Sequence, residues 1–162
     1  MKTKSNKPKK NKFKERQEAR EEAMAFIYSI DYHLDEIAFQ IENFMSEENI
    51  VGFSDESKKY INDVISGVVD KLKEIDPLIE KYSRGWSFNR IPNIDIAVLR
   101  LCIYEMIFRE DIPASVSINE AVNLAKKYGH DESGTFVNGI LGSIYKEAVA
   151  SGKINEDKPK RK

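Results

Sequence analysis

Cysteine, histidine and tryptophan are scarce in this 162-residue chain, which holds Cys102, His33, His130 and Trp86 as its full complement of the three. One cysteine excludes an internal disulfide, and one cysteine with two histidines leaves no zinc framework. Cys102 sits in a strongly apolar run and is expected to be a small buried hydrophobe. Apolar runs are short as well: none reaches the ~20 residues that a membrane-spanning helix needs. The first twelve residues lack the apolar core and small-residue cleavage site of a secretory leader, so a cytoplasmic protein is expected. Neither a phosphate-binding glycine loop nor a dinucleotide fingerprint is present. Neither histidine lies in a nucleophile or metal motif, and Glu21-Glu22 and Glu47-Glu48 read as solvated faces rather than acid/base pairs. The expectation is a non-enzymatic protein without cofactor or metal.

What is there is a helical body between two basic ends. Hydrophobic residues make up 41% of the chain, enough for one core, and the net charge of −1 conceals a segregation. Met1 to Arg16 carries a net +7, Lys153 to Lys162 a net +3, and the body between them −11. Blocks of like charge cannot bury enough surface to offset chain entropy. A disordered basic arm over 1–14, a helical domain over 15–152 and a basic tail over 153–162 are therefore expected. Such arms bind polyanions or serve solubility. Membrane attachment is disfavoured, because Met1 to Lys12 holds no apolar residue to insert beyond Met1.

Apolar residues recur at helical spacing nearly everywhere, and two-residue alternation is absent. The spacing predicts a first helix from about Glu15 to Asp31, with Arg16 and Arg20 one turn apart. A second runs from Glu36 to Met45 after Asp35 as N-cap. Ser54 caps a third, with Tyr60, Ile61, Val64, Ile65, Val68, Leu72 and Ile75 in one stripe. Asp76-Pro77 is a helix-start signal and predicts a separate short helix to about Tyr82. Ser83 to Asn93 reads as a connection anchored by a packed Trp86. Ile94 to Phe108 is apolar on most sides and belongs at the centre of the core. Ser117 and Glu120 have the spacing of a capping box that opens the next helix, ending at Gly129. A last helix carries Phe136, Val137, Ile140, Leu141, Ile144 and Tyr145. Gly139 and Gly142 within it suggest a close helix approach or a family constraint. The result is one all-α bundle of about seven helices.

The C-terminal half holds the most specific signal: Trp86 and Arg90, then Ala97-Val98-Leu99-Arg100 with Tyr104-Glu105, then Ile112-Pro113. These are followed by Ser117-Ile118-Asn119-Glu120-Ala121-Val122 and Phe136-Val137-Asn138-Gly139-Ile140-Leu141. In this order they closely resemble the NusB family of bacterial transcription antitermination factors, over about Arg16 to Glu147 and most strongly from Gly67 to Leu141. Ala19-Arg20-Glu21 with Ala23 and Tyr28 is similar to the family's arginine-rich first helix. The resemblance implies two packed helical subdomains and no catalysis. It also implies pairing with NusE, a small-subunit ribosomal protein, on the single-stranded boxA element of nascent ribosomal RNA, in the RNA polymerase antitermination complex. The same fold precedes the catalytic domain of certain ribosomal RNA methyltransferases, for which this length is expected to leave no room.

Carried over residue by residue, the resemblance implies RNA contact by Tyr28, Arg100, Glu132 and Phe136. Charge alone adds Lys12, Lys14, Arg16 and Arg20, whose cations suit phosphates. Arg100, inside so apolar a helix, needs RNA, solvent, Asp95 or Glu105 as a partner. Asp95 and Glu120 are the acidic candidates for docking the basic NusE, Glu120 having the capping role as its alternative. The chain departs from the family at Gln17 and Glu18, where basic residues are common, and at Ala25, where glutamine is usual. The lysine arm is expected to compensate. The alternative function is a helical protein-interaction module whose basic tails serve solubility.

Overall fold

The computed structural model describes residues 11–30 and 34–156. Among these the chain is all-α: α1 (Lys12–Ser29), α2 (Ile37–Met45), the single turn α3 (Glu48–Val51), α4 (Asp55–Tyr82), α5 (Asn93–Phe108), α6 (Ala114–Tyr128) and α7 (Ser133–Ala150). Short 3₁₀ turns at Leu34–Glu36 and Phe88–Arg90 precede α2 and α5. No helix of the described residues is long and apolar enough to cross a membrane.

Helix α5 is the axis of the bundle. Every residue from Asp95 to Met106 is buried, and α1, α4, α6 and α7 all pack against it. Burial of each large apolar side chain there stabilises the fold by ~1.5–3 kcal/mol. The approach to α4 is close at Gly67, where a Cβ would lie 2.1 Å from the Tyr104 ring. Helix α2 is held less tightly. Its Ile37, Ile41, Phe44 and Met45 are only partly buried against the core, and Phe44 meets Phe26 of α1 with ring centroids 5.1 Å apart.

Four local expectations are corrected. Asp76-Pro77 does not restart the chain, because α4 runs through Pro77 as one helix of 28 residues. A proline inside a helix costs ~3 kcal/mol, but Ile75 and Ile79 on either side are both fully buried, so the core holds the helix together across it. Helix α6 starts one turn before the capping box, with Pro113 as N-cap, so Ser117 and Glu120 lie inside the helix. Trp86 is 56% exposed rather than packed, at the end of a turn in which Arg84 and Gly85 both have positive φ. Gly139 and Gly142 serve no close approach, since a Cβ at either would meet nothing within 4 Å.

The basic ends are partly covered. Helix α1 begins at Lys12, inside the arm expected over 1–14, because the Asn11 side chain accepts from the Phe13 amide at 2.9 Å and so satisfies one free donor of the first turn. At the other end Ile154 is buried, its amide donating to the Ala148 carbonyl at 3.1 Å. The rest of the arm, residues 1–10, and of the tail, 157–162, lies outside the described residues, as does His33.

Candidate nucleic-acid interface

The first turn of α1 presents Lys12 and Lys14 to solvent. Cations at a helix N-terminus oppose the macrodipole, so the fold gains nothing from them there. Glu15, the acidic residue of that turn, accepts the Ser54 amide at 2.9 Å and ties α1 to the start of α4. One turn on, the half-buried Arg16 lies with its guanidinium 4.2 Å from the centre of the Tyr60 ring.

Arg20 does not join this surface. It is 4% exposed and donates to both carboxylate oxygens of Glu105 at 3.0–3.1 Å. Tyr60 donates its hydroxyl to the same carboxylate at 2.9 Å, and Ser117 approaches it at 3.4 Å. Burial alone would lower the Arg20 pKa, but the Glu105 charge and hydrogen bonds outweigh it and the net shift is upward. Burial pushes the Tyr60 phenol well up, with the Glu105 charge adding to it, so the tyrosine stays a neutral donor. The expected role of Arg20 as a phosphate ligand is therefore corrected: its charge is consumed inside the protein, binding α1 to α5.

Arg100 is corrected in the same way. It is 3% exposed and donates through Nε and a terminal nitrogen to Asp76 at 2.9 and 2.8 Å, with the Phe88 ring 5.7 Å away. Neither Asp95 nor Glu105 is its carboxylate partner in that bidentate contact. Asp76, read from the sequence as a helix cap, is the counter-ion instead.

The two acidic docking candidates are also inside. Glu120 is 5% exposed and accepts from the Gln17 amide at 3.3 Å. Asp95 is 2% exposed, and its Oδ1 has no hydrogen-bond partner. Burial raises the Asp95 pKa, against the opposing pull of a Ser133 hydrogen bond and the nearby His130. Neither carboxylate offers a surface to a basic partner in this fold.

Tyr28, Glu132 and Phe136 stand apart from Lys12, Lys14 and Arg16, which lie at the opposite end of α1 from Tyr28. Residues 17, 21, 24 and 28 share a stripe of α1, and this stripe follows α6 in the same direction. Gln17 reaches Glu120, and Glu21 reaches Lys127 and Tyr128 in the last turn of α6. Two turns further on, Tyr28 is 42% exposed. Glu132, exposed, is the N-cap of α7 and makes no side-chain cap, and Phe136, one turn into α7, is half-buried. Sequence reasoning missed Tyr128, 41% exposed, and Lys127 beside it. Among the described residues no group of three His, Cys, Asp or Glu side chains could hold a metal ion.

The sequence profile of the NusB family matches residues 17–146. The transcription antitermination protein NusB of Acetivibrio thermocellus is 45% identical over 143 residues, covering 88% of this chain and 97% of that protein. NusB of T. maritima superposes with a TM-score of 0.74 at 37% identity, over 85% of this chain and 95% of that one. A crystal structure of antitermination factors NusB and NusE in complex with dsRNA contains a chain that superposes at 0.71 with 29% identity, over 83% of this chain and 98% of that one. The ordered motifs of α5 to α7, the all-helical bundle and these matches agree: the chain belongs to the NusB family of transcription antitermination proteins.

Proposed function

We propose that the chain is a non-enzymatic antitermination factor of the cytoplasm that, paired with NusE, binds the single-stranded boxA element of nascent ribosomal RNA in the RNA polymerase antitermination complex. The observation that carries it is the similarity over 83% of the chain to a NusB crystallised with NusE and dsRNA. The side chains on the surface support it. Sequence-specific RNA recognition favours single strands, whose unpaired bases stack on exposed aromatic rings, and Tyr28 supplies one. Lys12, Lys14 and the half-buried Arg16 supply cations at the start of the same helix. Phe136 and Glu132 extend the surface onto α7, Glu132 as an acceptor for a base amino group rather than a phosphate ligand. Arg20 and Arg100 contribute by holding α1 and α4 against α5.

The test is a titration of boxA RNA and a scrambled strand of equal length, each with and without NusE. Preference for boxA that strengthens with NusE supports the proposal. Equal affinity for both strands favours a helical protein-interaction module whose basic ends serve solubility, a reading consistent with the burial of Arg20 and Arg100.

A further inference from the structure

The contact between α1 and the end of α6 is a bridge of side chains. Glu21 Oε1 accepts from Lys127 Nζ at 2.6 Å, and Glu21 Oε2 accepts from the Tyr128 hydroxyl at 2.9 Å. The Lys127 ammonium also lies 5.2 Å from the centre of the Tyr128 ring. All three stay wet: the side chains of Lys127 and Glu21 are 59% and 31% exposed, and Tyr128 is 41% exposed. Exposed ion pairs are weak and screened by salt, so another anion exchanges with them readily. Tyr28 continues the same stripe of α1 at 42% exposure, about 10 Å along the helix axis from Glu21. Two aromatic rings and a lysine, with one carboxylate occupying the lysine, thus share one edge of the bundle.

We propose that Tyr128 and Lys127 extend the RNA-contact surface begun by Tyr28, and that Glu21 is a brake on it. An unpaired base stacks on the Tyr128 ring, and a backbone phosphate takes the place of the Glu21 carboxylate at Lys127. No covalent step is involved. Glu21 lowers affinity twice, by occupying the lysine and by repelling the incoming phosphate. Of the neighbouring charges, Lys126 is exposed on the same turn of α6 and offsets part of this repulsion, while Glu22 is turned towards Asn49 at 2.8 Å. This extension rests on the RNA-binding function proposed above. The competing explanation of Lys127 is that a cation in the last turn simply complements the α6 dipole.

The experiment uses the full chain with NusE, single-stranded boxA RNA and a scrambled strand, with affinity, salt slope and thermal midpoint recorded for each variant. Tyr128→Ala is expected to weaken boxA binding about fivefold or more, the scale of one lost base stack. Tyr128→Phe keeps the ring and loses only the bond to Glu21, so it should bind within about twofold of the parent. Lys127→Ala should reduce the salt slope by ~0.7, and Glu21→Gln should tighten binding about two- to threefold. The extension is overturned if Tyr128→Phe weakens binding as much as Tyr128→Ala, which would mark the hydroxyl bond as the role. It is also overturned if Lys127→Ala lowers the midpoint but leaves affinity and slope alone, or if all four variants bind like a parent that prefers boxA. A parent with no preference for boxA overturns the RNA function and this extension together.

Discussion

Arg20 and Glu21 are neighbours in sequence, each paired with an opposite charge, yet they sit on two flanks of α1 with different physics. The Arg20–Glu105 pair has side-chain exposures of 4% and 2%, whereas the Lys127–Glu21 pair has 59% and 31%. Water is excluded from the first, so both charges depend on each other and on Tyr60. Removing one partner of such a pair typically costs ~3–5 kcal/mol because the other is left uncompensated. The second pair is worth ~0.2–1 kcal/mol, and its partners are free to find a stronger ligand. A charge one position along a helix can thus be part of the core or part of a binding surface, and burial decides which.

The sharpest way to break this contrast is Glu105→Gln, which removes the carboxylate that accepts the Arg20 hydrogen bonds and leaves Glu120 as its remaining charged neighbour. Urea denaturation should show a loss of ~3–5 kcal/mol, and a loss below about 1 kcal/mol would show that water reaches the pair after all. Gly67→Ala probes the same sealed side through the backbone. The new methyl would displace the Tyr104 ring, whose nearest atom stands 2.1 Å from its position; a stability loss of ~1–3 kcal/mol is expected in the same titration.

Asp95 lies between the extremes, buried but with one oxygen unpartnered. Burial holds its carboxyl above the usual range although an acid in the first turn of α5 is favoured by the helix dipole. The folded state therefore binds the proton more readily than the unfolded chain does. Its contribution to stability is fully present below the ordinary aspartate pKa of about 4 and is lost as pH rises through the raised value. Asp95→Asn should accordingly stabilise the protein by ~1 kcal/mol at neutral pH, with the advantage fading as pH falls through the raised value and gone below about 4. Thermal unfolding of both forms across pH checks it. The smallest effect belongs to the open side: Glu21→Gln should change stability by no more than about 1 kcal/mol, and a larger loss would erase the distinction between the two flanks.

Much of the fold was readable from periodicity, and the exceptions have physical causes. Helix α5 lies within one residue of its expected start because nearly every side chain from Ile94 to Phe108 is apolar. Asp76-Pro77 is a local start signal that divides α4 in sequence, whereas the stripe Val68, Leu72, Ile75 and Ile79 continues across it and decides the fold. The true start of α6 lies one turn before its sequence signal for a similar reason: the Ser117–Glu120 spacing fits a cap, but both side chains are drawn inward, Ser117 towards Glu105 and Glu120 to Gln17.

The site was less legible than the fold. Arg20 shares the buried stripe of Ala23, Ile27 and Ile30, and Glu105 is one of three buried charged residues, with Asp95 and Arg100, in an apolar helix; each of these charges needs an internal partner. Read by charge alone, Arg20 looked like a phosphate ligand. Asp76 as the partner of Arg100 required the continuity of α4, which local signals obscured. Tyr128 and Lys127 gave no sequence signal of their own, because only the arrival of Glu21 from another helix marks them.

The central claim is that α1 divides its residues between a core flank and an RNA flank, and Tyr28→Ala tests it most directly when boxA affinity with NusE and the unfolding midpoint are measured on the same preparation. The claim predicts a loss of ~1–3 kcal/mol in binding, about five- to 150-fold, with stability unchanged within about 0.5 kcal/mol. A fall in the midpoint with boxA affinity intact would contradict it.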